Sequence, residues 1–120
     1  MSAVITARGR KKTSKYKNVP TVVDGHKFDS KKEARRYQVL KLLLQAGEIT
    51  DLELQKRYEL IPTQRKADGT AVRVVTYYAD FVYMRDGALV VEDVKGVRTD
   101  VFVLKSALML QVHGIEIKEV

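Results

Sequence analysis

The sequence contains no cysteine, which excludes disulfides and every zinc site built on thiolates. No apolar run approaches the ~20 residues that a membrane-spanning helix needs. The N-terminal segment is basic but lacks the apolar core of a secretory signal. Residues 1–20 hold no acid at all, yet carry Arg8, Arg10, Lys11, Lys12, Lys15 and Lys17. The expectation is a soluble protein of a reducing cytoplasm, with no membrane partner.

What is present is enough for one domain: 120 residues, of which 45% are hydrophobic. The net charge of +7 is uneven. Past residue 20 the chain carries 16 basic and 15 acidic side chains, so a nearly neutral body at 18–120 follows a cationic arm at 1–17. The arm has little to bury and reads as disordered. Arms of this kind lie along phosphate backbones, with affinity that falls as salt rises. Its six cations are therefore candidate DNA contacts; the alternative is a solvated terminus that aids solubility.

Within the body, Thr21-Val22-Val23 and His26-Lys27-Phe28 flank Asp24-Gly25, a two-residue turn signal, and predict a short hairpin. Asp29 or Ser30 caps a helix to about residue 46, whose stripe is Glu33, Tyr37, Leu40 and Leu44. Strands are predicted over 52–61, 72–84 and 88–95, separated by Pro62, Asp68-Gly69 and Asp86-Gly87. Thr99 or Asp100 caps a second helix to about residue 113, with Val101, Leu104, Leu108 and Val112 facing inward. A last strand over 115–120 follows a helix and so adds to the sheet in a parallel sense. The fold class is α/β (α+β): a mixed sheet flanked by helices, in the order helix, three strands, helix, strand, behind a short hairpin.

The Asp86-Gly87 turn sets a register. If those two residues are the loop, Arg85 faces Ala88, Val82 faces Val91 and Asp80 faces Asp93. Directly opposed residues share a face, with Cβ atoms ~4.5–5.5 Å apart. Lys95 follows on that face, because positions two apart point the same way. Two opposed carboxylates are destabilising unless a cation lies between them, and magnesium takes oxygen ligands of this kind. Alternation turns Glu92 to the opposite face. Ser30-Lys31-Lys32-Glu33 is a capping box. Glu33 also stands on the stripe that faces the sheet, so spacing alone leaves it between a capping role and the acidic pair. Gln55, Lys105, Tyr77, Tyr78 and Tyr83 read as surface or core rather than site, and His26 and His113 stand alone.

Asp80 followed by Asp93-Val94-Lys95 resembles the signature of the PD-(D/E)XK nuclease superfamily. Glu33 on the preceding helix matches the extra acid seen in many of its members. The element order resembles the restriction-endonuclease-like αβββαβ core. The stretches Phe28-Asp29-Ser30-Lys31-Lys32-Glu33-Ala34, Tyr78-Ala79-Asp80-Phe81 and Val91-Glu92-Asp93-Val94-Lys95-Gly96 are similar to a group of small phage-encoded proteins of that superfamily. The resemblance covers about residues 15–120. It departs in having Ala79 where a proline often precedes the aspartate.

The resemblance implies a DNA endonuclease that hydrolyses phosphodiester bonds. Glu33, Asp80, Asp93 and Lys95 would be catalytic. Glu33, Asp80 and Asp93 would hold one or two Mg²⁺ ions, with Mn²⁺ able to substitute. The body is too small for a separate sequence-reading domain, so branched or junction DNA in phage recombination or replication is the expected substrate. The twofold symmetry of a junction would suit a homodimer. The second class of reading is a non-catalytic DNA-binding protein on a nuclease-like scaffold.

Overall fold

The computed structural model describes residues 20–120. The arm at 1–17, with Arg8, Arg10, Lys11, Lys12, Lys15 and Lys17, lies outside the described residues. Strands β1 (Thr21–Val23) and β2 (His26–Phe28) form the expected hairpin. Helix α1 (Lys31–Gln45) begins at Ser30, whose Oγ accepts the Glu33 N–H at 3.1 Å. Strand β3 spans Thr50–Ile61, and the pair β4 (Gln64–Arg65) and β5 (Ala71–Val72) makes a second small hairpin. Strands β6 (Val75–Arg85) and β7 (Ala88–Asp93) follow. Helix α2 (Asp100–Leu108) runs into a π-helical turn at Met109–His113, and β8 (Lys118–Glu119) closes the chain.

The main sheet has the order β3-β6-β7-β8. It is mixed, because β8 pairs with β7 in parallel while the other neighbours are antiparallel. Asp86 and Gly87 both adopt positive φ, 52° and 77°, as the two-residue turn requires. That turn fixes the predicted register from Arg85↔Ala88 through Val82↔Val91 to Phe81↔Glu92.

Each helix covers its own core. Tyr37 and Leu40 of α1 pack with Phe28, Ile49, Phe81 and Tyr83. Phe102 of α2 and Met109 pack with Tyr58, Tyr77, Val82 and Val91. Val82 and Val91 alternate with Phe81, Tyr83 and Val90, so the helices lie on opposite faces. Leu40 and Phe81 are wholly buried, which contributes about 1.5–3 kcal/mol each.

Five details differ from the sequence expectation. The strand expected over 72–84 is split: Ala71–Val72 belongs to the small hairpin and the long strand starts at Val75. The strand expected to reach residue 95 stops at Asp93, and the last strand is two residues long. Leu44, at the end of the α1 stripe, is exposed. Of the inner stripe expected on the second helix, Leu108 packs against the core but Val101, Leu104 and Val112 are exposed; Phe102 of α2 and Met109 of the π-helical turn are buried instead. That helix is apolar nearly all round, so the 3.6-residue period did not select a face. No helix among the described residues is long and apolar enough to cross a membrane.

Candidate active site

Asp80 lies one position beyond the last ladder pair, Phe81↔Glu92, and Asp93 ends β7. The expected opposition of the two aspartates thus falls where the β6–β7 ladder has opened. β7 turns there toward β8 instead: Val120 N–H donates to Asp93 O at 3.0 Å and Lys95 N–H to Val120 O at 3.2 Å. Asp80 fills the opening with its side chain, and its Oδ2 accepts the Val94 N–H at 2.8 Å.

Regular alternation also fails at this point. Odd-numbered positions of a straight strand share a face. Yet Tyr77 and Ala79 pack on the α2 side, whereas Phe81 and Tyr83 pack on the α1 side. The change falls at Asp80. Across from it on β3, between the pairs Leu54↔Phe81 and Lys56↔Ala79, Gln55 has φ 53°. A left-handed backbone costs a non-glycine residue ~1–2 kcal/mol and is tolerated where surrounding contacts hold it. Here it lets the Gln55 amide donate to Asp80 Oδ1 at 3.1 Å and to Glu33 Oε2 at 3.4 Å. Gln55, read from sequence as a surface residue, belongs to the site. Only the backbone conformation brings it there, and nothing in the local sequence signals that.

Glu33 and Asp93 are both buried, at 8% and 4% exposure, although both are carboxylates. Asp93 Oδ1 accepts the Tyr77 hydroxyl at 2.7 Å. Asp93 Oδ2 is buried and accepts no hydrogen bond of good geometry; its contact is the Lys95 ammonium at 2.8 Å. That ammonium also sits 4.1 Å from the Phe102 ring centroid. Lys32 of α1 donates to Lys95 O at 2.7 Å, tying the helix start to the strand end.

Burial, then the charges of Asp80, Asp29 and Asp93, push the Glu33 carboxyl up to about 8. Burial and the Asp93 charge raise Asp80 to about 6, against the Val94 N–H, Gln55 and Lys95, which favour its anion. Burial and Asp93 also raise the Tyr77 phenol. Three carboxylates thus share one cleft with a single ammonium paired to them, an arrangement that repels itself and favours added positive charge.

The cleft measures about 820 Å³. Glu33, Asp80 and Asp93 line it together with Lys32, Lys95 and Lys105. A second groove of about 550 Å³, between the first hairpin, α1 and β3, meets it at Glu33 and reaches Gln55. The structure therefore brings together all four residues singled out from the sequence. It adds Gln55 and Tyr77, and it places Lys105 and Tyr78 on the cleft wall.

Glu92 points away from this cleft, as alternation predicts. It is wholly buried, paired with Arg36 through bonds of 2.8 and 2.6 Å, and also receives the Tyr83 hydroxyl. His113 contacts Glu59 O at 2.7 Å and stacks edge-on to Tyr58, and His26 packs edge-on to Tyr37. Neither histidine joins the acids.

Among the described residues no group of three or more His, Asp or Glu side chains is arranged to hold one metal ion. The donor chemistry still suits a hard divalent cation, since all three acids offer oxygen and the buried Asp93 Oδ2 meets only the Lys95 ammonium, outside good hydrogen-bond geometry. Magnesium commonly uses one or two carboxylates and completes its shell with water and phosphate oxygens. Asp80 and Asp93 bring two carboxylates to the same cleft.

Fold and site define a class: a mixed α+β domain with an acidic cleft and a lysine at the open end of a central hairpin. Over residues 13–119 the chain matches the model of a family described as a protein of unknown function (DUF1064), and it belongs to that family. No curated protein and no solved structure matches it.

Proposed function

We propose that the protein is a Mg²⁺-dependent DNA endonuclease on a restriction-endonuclease-like core, acting on branched or junction DNA in phage recombination or replication. The observation that carries the reading is the convergence of Glu33, Asp80, Asp93 and Lys95 on one cleft, with the Lys95 ammonium 2.8 Å from Asp93. Asp80 and Asp93 would hold magnesium, with Glu33 beside them. When bound, the ion would polarise a phosphate oxygen and acidify the attacking water.

The chain's own groups do the rest. Lys95, anchored between Asp93 and Phe102, offers positive charge where the phosphoryl group develops negative charge. Gln55 holds Glu33 and Asp80 at a fixed separation through its two N–H donors. Lys32 and Lys105 bring cations to the cleft wall, where a phosphodiester backbone would pass. Manganese should substitute, because it favours the same ligands.

A second reading has an observation of its own. The Asp93–Lys95 ion pair, with no three-acid ligand set among the described residues, fits a structural salt bridge in a non-catalytic DNA-binding protein. One experiment separates the two. Linear, nicked, single-stranded and four-way-junction DNA are incubated with the protein in Mg²⁺, Mn²⁺ or EDTA, alongside Asp93→Ala and Lys95→Ala. The nuclease reading expects metal-dependent cleavage, fastest on the junction and lowered at least ~100-fold in each variant. Unchanged cleavage in Asp93→Ala removes this site. Tight binding without cleavage of any substrate establishes the second reading.

A further inference from the structure

β3 and β6 continue past the end of the sheet. β7 accompanies β6 only from Phe81 to Arg85, whereas the β3–β6 pairing runs on to Ile61↔Val75. It resumes as Gln64↔Val72 and Arg65↔Ala71 in the β4–β5 hairpin. From Ala79 outward the pairing is therefore two-stranded: Tyr58, Leu60 and Tyr77 still pack with Phe102 and Met109, and the ribbon leaves the body at residues 62–73. Its tip is well defined: Lys66 N–H donates to Thr70 O, Gly69 N–H to Lys66 O and Thr70 N–H to Asp68 Oδ1, each at 2.9 Å.

Residues 62–73 are all exposed. A two-stranded hairpin with no apolar face is marginal by itself and adds little to a core, so packing does not account for this one. Its charges are Arg65, Lys66 and Arg73 against Asp68, whose carboxylate is turned onto its own turn. That surface is too polar for an apolar protein partner and complements a phosphate backbone. A major groove ~12 Å wide admits a two-stranded ribbon. At ~3.3 Å per residue, the nine residues from Asp80 to Ala71 span ~30 Å, close to one turn of duplex. Arg57 and Tyr78, paired across β3 and β6 and both exposed, lie on the path between cleft and tip.

We propose that this ribbon, residues 62–73, is a duplex-DNA-binding element that enters the groove about one helical turn from the cleft. Duplex binding by the ribbon stands independently of the nuclease reading; the one-turn spacing rests on it.

The test uses the full chain in EDTA, where no cleavage occurs, so a failure of the nuclease reading does not disturb it. Fluorescence anisotropy compares the wild type with Arg65→Ala/Lys66→Ala/Arg73→Ala on a 30-base-pair duplex and on its single strand. All three side chains are exposed, and circular dichroism checks that the variant is folded. The triple variant should bind duplex at least ~10-fold more weakly, with a log K against log salt slope shallower by about 2–3. Single-strand binding should change much less. Unchanged duplex affinity and slope overturn the proposal, and an equal loss on the single strand overturns the duplex assignment. Hydroxyl-radical footprinting tests the spacing: two protected patches ~10 base pairs apart, one of them lost in the triple variant. A single patch in both proteins overturns the one-turn placement.

Discussion

Replacing Arg36 by alanine strands the Glu92 carboxylate in the core. Arg36 Nε and Nη2 reach its two oxygens at 2.8 and 2.6 Å, the carboxylate is wholly buried, and the Tyr83 hydroxyl would be the remaining donor. Removing one side of a buried pair costs about 3–5 kcal/mol, because the charge left behind is uncompensated. The pH dependence changes sign as well. In the wild type, burial pushes the Glu92 carboxyl up, but the bonds from Arg36 and Tyr83 outweigh it and hold the group below its usual value of 4.5. Its contribution is therefore present above 4.5 and is lost as pH falls through the lower folded value. Without Arg36, burial dominates and the folded pKa rises. Stability is then greatest below 4.5 and falls by about 1.4 kcal/mol per pH unit until the folded pKa is passed. The deficit of Arg36→Ala should widen by roughly 2–3 kcal/mol between pH 5 and 7. Urea unfolding of the metal-free proteins at pH 5, 6 and 7 measures it, and Glu33 and Asp80 titrate in both proteins and cancel in the difference. A deficit below ~1 kcal/mol, or one constant across that window, refutes the reasoning. The consequence reaches the cleft. Arg36 stands one turn after Glu33, and Glu92 adjoins Asp93, so this pair fixes α1 against β7 where the acids meet.

Glu33→Gln should stabilise the metal-free protein at pH 8.5 by on the order of 2–4 kcal/mol and leave it nearly unchanged at pH 4.5. The wild-type carboxyl, raised to about 8, favours the fold below 4.5 and loses that advantage as pH climbs through 8. Equal thermal melts at pH 8.5 would show that Glu33 is not held among the acids. Gln55→Gly relieves the left-handed backbone but removes the amide and its two hydrogen bonds, so the stability changes offset each other to within about 1 kcal/mol while cleavage falls ~10-fold. Full activity would show that the amide does not position the acids. A homodimer suited to a junction would use the exposed Val101 and Leu104 of α2 and Val112 of the π-helical turn. Sedimentation should then show a dimer that Leu104→Glu dissociates, and a monomeric wild type removes the dimer.

How far the site was legible depends on which physical rule governed each residue. The nearness of Asp80 and Asp93 was legible because a two-residue Asp-Gly turn demands positive φ at both positions and fixes the β6–β7 register as far as Phe81↔Glu92; the opening of the ladder at Asp80 and the end of β7 before Lys95 were not. Glu33 was half legible. Its backbone N–H bonds Ser30 Oγ, which is the serine's half of a capping box, while its side chain accepts the Gln55 amide. The inner face of the second helix was not legible: with Val101, Leu104, Phe102 and Met109 all apolar, only the sheet beneath decides which are covered. Nor was the ribbon, since Val72 continues the apolar run of β6 and the break at residues 73–74 carries no glycine or proline. Gln55 is the clearest case. Its position in β3 calls for an ordinary extended residue, and its φ of 53° answers to Asp80 and Glu33 across the sheet rather than to its neighbours in sequence. A residue held against its local preference by contacts to two acids of the cleft is where strand regularity has yielded to the candidate site. The break in alternation at Asp80 on the facing strand is the same concession seen from the other side.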